Sequence, residues 1–229
     1  PDRGTAHTMG IQPWKLMSGS DPRTLWTGKF LSDDKLPQAR DPERGYLATA
    51  NNEPFGFTAD GRVDNDPYYY GYFYDPGDRA ARIESELSRL TKRGKITPAE
   101  MTELQWDARS TLADDLIPAL AQAIVDLGTD PQLAQFRNRP ELLAMFTQLS
   151  SWDRQMRRSS SEAVMFFAFA HFATVRALSD DLGPLLPKLF DIEPAYAYKP
   201  LRLALRKVKE AEPLIGADRN FIFMSGLAD

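Results

Sequence analysis

Two residues of this 229-residue chain combine a side chain and a position suited to amide chemistry. Asn51 ends a short run with extended character, residues 45–50, and Arg79 stands at the start of a helical pattern. A carboxamide at the end of an extended segment can donate a hydrogen bond to an oxygen that becomes negative as an amide carbonyl is attacked. The alternative is a simple turn, because Asn tolerates left-handed backbone conformations, and an Asn-Asn pair by itself favours that alternative.

Other kinds of chemistry find less support in the composition. The chain has no cysteine, which excludes disulfides, thiolate metal sites and cysteine nucleophiles. Its two histidines are His7, near the start, and His171, which lies among phenylalanines and is predicted to be a core residue. Asp60, Asp64 and Asp66 vaguely suggest a calcium loop but lack the terminal glutamate of an EF-hand, so a solvated turn is the better interpretation. The sequence therefore predicts no metal site.

Charge and hydropathy exclude two classes of partner. Lys and Arg total 28 against 32 Asp and Glu, and the net charge of -4 gives no basic excess for binding nucleic acid. The polar start of the sequence has no apolar core typical of a signal peptide, which suggests a processed N-terminus. The most apolar stretch, residues 163–175, is shorter than the roughly 20 residues that span a membrane. It is predicted to be a buried helix, with no membrane span.

The elements that must position the candidate residues change in type near residue 78. Before it, residues 24–30, 45–50 and 68–74 resemble strands or extended arms between turns. After it, Asp78 is predicted to cap a helix that ends before Gly94, and Thr97 to cap a long helix reaching residue 127 that Pro118 kinks or splits. Three more helices are predicted over residues 140–149, 162–178 and 201–212.

These patterns predict a mainly α chain with a strand- and loop-rich N-terminal third, an α+β arrangement. Residues 1–77 would form an extended, strand-rich segment and residues 78–229 a helical region. The edges of the first region would complete a sheet made by segments outside this sequence.

Three motifs in this order resemble the penicillin acylase family, whose members are hydrolases with an N-terminal serine nucleophile. They are the run Tyr-Leu-Ala-Thr-Ala-Asn-Asn at residues 46–52, the tyrosine-rich loop at 66–70 and the helix start Arg-Ala-Ala-Arg-Ile at 79–83. The resemblance covers most of residues 24–178 and corresponds to the central part of the β subunit. It implies a fragment of the αββα fold of N-terminal nucleophile (Ntn) hydrolases, in which residues 1–77 are the pocket segment that completes the core.

The resemblance also implies roles for individual residues. Asn51 would be the side chain of the oxyanion hole, and Arg79 a pocket residue that orients the catalytic apparatus. Tyr68, Tyr69 and Tyr70 suit a pocket for an aromatic or fatty acyl group, although ordinary core and interface roles are equally supported. Arg82 is expected to make a structural salt bridge.

The resemblance implies that the nucleophile lies outside this sequence. Every serine is internal, so the resemblance implies a companion segment or subunit that bears the N-terminal serine, and this chain alone is predicted to be inactive. No cofactor is expected in the chain, and the ligands of the family's calcium would lie mostly outside it. The substrate would be a small N-acyl compound, namely a β-lactam, a lipopeptide or an acyl-homoserine lactone, in the periplasm or outside the cell. The alternative is a non-catalytic helical binding or scaffold module derived from such an enzyme.

Overall fold

The computed structural model describes residues 15–25, 28–52, 70–71, 74–75, 77–192 and 219–229. The chain divides into two compact units, Pro1–Leu104 and Gln105–Asp229. Within the described ranges the chain is mainly α-helical, as predicted. Its α-helices are α1 (Asp78–Arg93), α2 (Pro98–Gln105), α3 (Thr111–Asp126), α4 (Pro140–Ser151), α5 (Ser161–Leu182), α6 (Leu185–Ile192) and α7 (Arg219–Ala228).

In the described residues before α1, the chain consists of irregular arms between turns. Short 3-10 helices occur at Pro22–Thr24 and Asp33–Lys35, and no named strand occurs in the described residues. The only described pairing of this kind in the first unit is an isolated parallel bridge between Asn52 and Asp75. Of the two predicted possibilities, strands or extended arms, the described parts of residues 24–30 and 45–50 therefore form arms.

Helix α1 forms as its sequence pattern predicts, with a small difference at its start. The residue before the first helical turn is Gly77, which has φ 93° and supplies no side-chain cap, so the prediction that Asp78 is the cap is wrong by one position. Asp78 instead lies in the first turn, where a carboxylate favours the positive end of the helix dipole. Leu87 and Leu90 are buried, and the helix ends at Gly94 with φ 119°.

Helix α2 begins with the predicted capping box. The Thr97 backbone N–H donates to Glu100 Oε2 at 2.8 Å, and the Glu100 N–H donates back to Thr97 Oγ1 at 3.3 Å. These bonds to Thr97, together with one from Arg93, lower the pKa of Glu100 to about 2. The start of α2 is therefore fixed by a charged cap.

The prediction of one long helix from residue 98 to 127 is wrong, because the chain breaks between α2 and α3. At the break, Arg109 forms an antiparallel bridge with Gln155, and the Met156 N–H donates to the Ala108 carbonyl at 2.9 Å. Ser110 then caps α3 by accepting a hydrogen bond from the Ala113 N–H at 3.2 Å. A pairing with a distant segment thus replaces a continuous helix whose apolar spacing alone would allow it.

Of the two predicted effects of Pro118, a kink or a split, the split is wrong. The helix continues from Thr111 to Asp126 with Pro118 inside it and exposed to solvent. The buried face of α3 is formed by Ala113, Leu116, Leu120 and other apolar residues. Burial of that face offsets the hydrogen bond that proline cannot donate.

The core of the second unit surrounds α7. Six consecutive residues of this helix, from Ile222 to Leu227, are buried, and the helix packs chiefly against α5 and α3. Phe223 of α7 lies 6.0 Å from Phe169 of α5, measured between ring centroids. At Gly226 the two backbones come so close that an added Cβ would lie 2.6 Å from the Ala173 nitrogen. Glycine is therefore required at this crossing.

Helices α4 and α5 confirm the predictions made for residues 140–149 and 162–178. Helix α5 buries one face, which includes Phe166 and Phe169, while Val164 is 70% exposed on the other. Its stretch Ser161–Asp180 is long and apolar enough to cross a membrane, and one third of it is buried inside the unit. The helix predicted over residues 201–212 lies outside the described residues.

Candidate active site

The backbone at Asn51 makes a tight, well-held turn. Asn51 has φ 60°, in the left-handed region that Asn adopts more readily than most residues. Its carbonyl accepts a hydrogen bond from the Asp75 N–H at 2.9 Å, and the Asn52 side-chain oxygen accepts one from the Ala50 N–H at 3.1 Å. The turn is therefore part of the explanation for the Asn-Asn pair, but it occupies the side chain of Asn52 and leaves that of Asn51 available.

The side chain of Arg79 closes the site from the first turn of α1. Its Nη2 donates to the Ala50 carbonyl and to Asn51 Oδ1, each at 2.9 Å. Asp75 Oδ2 lies 3.1 Å from the same nitrogen and 3.2 Å from Nε. The Asp75 carboxylate partly neutralises the guanidinium, which would otherwise be unfavourable at the positive end of a helix.

These contacts fix the orientation of the Asn51 carboxamide. A guanidinium carries only donors, so the atom of Asn51 that faces Arg79 has to be the oxygen. The amide nitrogen Nδ2 then points away from Arg79, and it has no acceptor among the residues that the structure describes. The positive charge beside Oδ1 also polarises the amide, which makes its N–H groups better donors. The structure therefore presents an exposed, oriented hydrogen-bond donor at residue 51.

The arrangement is open to solvent on one side. The Arg79 side chain is 60% exposed and that of Asp75 is 22% exposed. Ala50, directly before the candidate donor, is buried and anchors the turn to the unit. The turn is therefore anchored on one side and accessible on the other. A side chain that contacts a substrate needs both properties.

The predicted aromatic pocket is only partly described. Tyr68 and Tyr69 lie outside the described residues. Tyr70 is half-buried, and its hydroxyl donates to the Lys35 carbonyl. The hydroxyl of Tyr70 is therefore engaged by the protein.

The remaining candidate residues have structural environments. Arg82 forms the predicted salt bridge, with Glu86 at 2.8 Å one turn along α1. His171 is half-buried, with its ring 4.8 Å from that of Phe190 and 5.4 Å from that of Phe172. Within the described residues no group of three or more His, Cys, Asp or Glu side chains is arranged to hold a metal ion.

Sequence reasoning missed Asp75, which joins the site through both its backbone and its carboxylate. The residue stands four positions before Arg79, but it precedes the helix, so helical spacing gave no reason to pair the two. Its nearness to Asn51 depends on the bridge at Asn52, which links two residues that stand 23 positions apart in the sequence. A pairing of this kind has no local signal in the sequence.

A carboxamide donor held by arginine at the end of an extended arm, followed by helices, is an arrangement suited to an acyl-transfer hydrolase. The chain belongs to the penicillin amidase family, whose sequence model it matches over residues 1–222. It is similar to the acyl-homoserine lactone acylase QuiP of Pseudomonas aeruginosa, with 28% identity over 175 residues. That alignment covers 72% of this chain and 18% of the relative, so the chain spans less than a fifth of the relative's length. The resemblance to penicillin acylases is thereby confirmed.

Proposed function

We propose that this chain forms the oxyanion-stabilising part of an N-acyl amide hydrolase. The observation that carries the proposal is the Asn51 carboxamide, whose oxygen is held by Arg79 at 2.9 Å and whose nitrogen is left to donate. Membership of the penicillin amidase family supports the reaction class. A donor held in place before the reaction stabilises developing negative charge without reorganisation, which is the usual source of its catalytic value.

The reaction would use a serine that lies in a companion segment or subunit. The serine α-amino group takes the hydroxyl proton as the oxygen attacks the amide carbon, and the carbonyl oxygen becomes an oxyanion. Asn51 Nδ2 would donate to that oxyanion. The carbon–nitrogen bond then breaks, the amine leaves with the proton, and water hydrolyses the acyl-enzyme in the second half of the cycle. This chain alone would be inactive.

The substrate class is an N-acyl compound: a β-lactam, a lipopeptide or an acyl-homoserine lactone. The name of the Pseudomonas aeruginosa relative supports the last of these. The ring of Tyr70, with Tyr68 and Tyr69, would contact the acyl group. The chain would complete an αββα Ntn fold together with its companion, in the periplasm or outside the cell, and any calcium ion would be bound mostly by residues outside this chain.

The composition of the working enzyme can be tested directly. Intact-mass analysis and N-terminal sequencing of the protein purified from its natural source should find a polypeptide that begins with serine. A preparation in which no polypeptide begins with serine, and which hydrolyses no N-acyl substrate, would contradict the proposal and favour a non-catalytic scaffold.

The role of Asn51 can be tested in that assembled enzyme with Asn51→Gly. Glycine accepts φ 60° without strain, so this variant removes the amide and retains the turn, whereas alanine would add about 1–2 kcal/mol of backbone strain. We expect kcat to fall roughly a hundredfold or more with KM little changed. Asp41→Gly is the matched control, because Asp41 also has positive φ (45°) and is exposed. Equal kcat values for wild type and Asn51→Gly would refute the role of Asn51.

A further inference from the structure

The arm that carries Asn51 comprises residues 44–51. Besides the Arg79 contacts, helix α1 holds this arm at a second place, at Glu84. Tyr46 donates its hydroxyl to Glu84 Oε2 at 2.7 Å, and Arg44 Nη1 lies 2.6 Å from Glu84 Oε1. Both carboxylate oxygens of Glu84 are therefore bonded to residues of the arm. These residues are separated from Glu84 by about forty positions in the sequence, so the contact fixes one segment against another.

The two arm residues also hold each other. Arg44 Nε donates to the Tyr46 carbonyl at 3.1 Å, and its guanidinium carbon lies 4.9 Å from the centre of the Tyr46 ring. Hydrogen bonding to Glu84 raises the pKa of the Tyr46 hydroxyl, which keeps that hydroxyl protonated and able to donate. Arg44, Tyr46 and Glu84 thus form a closed cluster, which we call the Glu84 clamp.

The Glu84 clamp and the Arg79 contacts grip the arm at two points of one rigid helix. Glu84 and Arg79 are five residues apart on α1, which corresponds to roughly 7–8 Å along the helix axis. Between Tyr46 and Ala50 the arm has no regular secondary structure, and residues 47–49 make no backbone hydrogen bond to any other described residue. The position of Asn51 therefore depends on the contacts at the two ends of this short span.

We infer that Glu84 is a positioning residue for the oxyanion-stabilising donor, because it fixes through Tyr46 and Arg44 the arm from which Asn51 projects. This inference rests on the proposed function. Catalytic hydrogen bonds depend steeply on geometry, and a displacement of about 1 Å can cost roughly a hundredfold in rate. If the end of the arm at Tyr46 is released from Glu84 while the Arg79 contacts remain, kcat should fall less than it does when the Asn51 side chain is removed.

Glu86 offers a matched control on the same helix. Its carboxylate pairs with Arg82 and Arg89, each at 2.8 Å, and both partners belong to α1 itself. Glu86→Gln removes the same charge as Glu84→Gln and disturbs two ion pairs, whereas Glu84→Gln disturbs one ion pair and the hydrogen bond from Tyr46. It breaks no bond to the arm. Any general effect of weakening α1 should therefore appear in both variants.

The experiment measures kcat and KM of the assembled hydrolase for Glu84→Gln, Tyr46→Phe and Glu86→Gln, each in wild-type and Asn51→Gly backgrounds. We expect Glu84→Gln and Tyr46→Phe to lower kcat roughly tenfold with KM little changed, and Glu86→Gln to leave both constants unchanged. In the Asn51→Gly background the first two substitutions should have no further effect on kcat, because the group that they position is gone. A merely structural role would lower kcat by the same factor in both backgrounds.

The outcomes separate this inference from the function on which it rests. If Asn51→Gly lowers kcat but Glu84→Gln and Tyr46→Phe do not, the positioning role of Glu84 is wrong and the proposed function stands. If the assembled protein hydrolyses no N-acyl substrate, or Asn51→Gly leaves kcat unchanged, both are overturned. Tyr46→Phe retains the aromatic ring at residue 46 and leaves Glu84 charged, so it tests the clamp even if Glu84→Gln fails to fold.

Discussion

The close approach of α7 to α5 at Gly226, in the second unit, gives a sharp stability prediction, through Gly226→Ala. A Cβ at this position would lie 2.6, 2.8 and 2.9 Å from the nitrogen, Cα and Cβ of Ala173. Two of these atoms are backbone, so no side-chain rotation can relieve the contact. The helices would have to move apart by roughly 1 Å to reach normal van der Waals separation.

The expected cost follows from two opposing effects. Overpacking of a well-filled core costs about 1–3 kcal/mol, and the residues at this crossing, among them Ala173, Phe223 and Leu227, are buried, which favours the upper part of that range. Alanine in place of glycine within a helix recovers up to about 1 kcal/mol. We therefore expect Gly226→Ala to lower the free energy of unfolding of this unit by about 1–2 kcal/mol.

Urea unfolding, combined with hydrogen exchange of the α5 amides around Ala173, measures this change in the free energy of unfolding and assigns it to the second unit. The matched control is Gly128→Ala, because Gly128 has no neighbour within 4 Å of an added Cβ and no positive φ. That substitution should be neutral or stabilise by up to about 1 kcal/mol. If Gly226→Ala proved as stable as Gly128→Ala, the close approach of α5 and α7 would be refuted.

Two further predictions concern charged groups. The pKa of Glu100 is lowered from its usual 4.5 to about 2, mainly by its bond to the Thr97 N–H. The cap of α2 therefore stabilises the protein above pH 4.5, and this stabilisation is lost as the pH falls towards 2. Urea unfolding at pH 6, 4 and 2.5 should therefore show a smaller acid loss for Glu100→Gln than for wild type. Asp114→Asn should lower the free energy of unfolding by about 1–2 kcal/mol in the same assay at pH 7, because Asp114 accepts hydrogen bonds from both Arg109 and Arg154. An unchanged unfolding midpoint would contradict that role.

Much of the helical structure could be predicted from local signals. The capping box at Thr97 and Glu100 and the glycine after α1 correctly placed helix ends, because such ends are fixed by bonds between neighbouring residues. The single helix predicted through residue 127 failed for the opposite reason. The bridge between Arg109 and Gln155 joins segments far apart in sequence, and periodicity carries no information about it.

The candidate site also has a part that local motifs indicate and a part that depends on distant contacts. The motif at residues 46–52 and the helix start at residue 79 indicated Asn51 and Arg79 separately, but their contact at 2.9 Å depends on how the arm lies along α1. The Glu84 clamp was missed because a glutamate among the polar positions of a helix is ordinarily interpreted as part of a solvated face. Only the position of the arm distinguishes Glu84 from Glu86, which pairs within the helix.

The central place of α7 has a consequence for the order in which the protein can assemble on the ribosome. The helix that fills the core of the second unit is the last described one, so α3, α4 and α5 emerge before their common partner. At ~5–20 residues per second, the stretch from Leu182 to Arg219 takes roughly 2 to 7 s to synthesise. During that interval the apolar faces that α7 covers are exposed, and a nascent chain in this state is a natural client for chaperones.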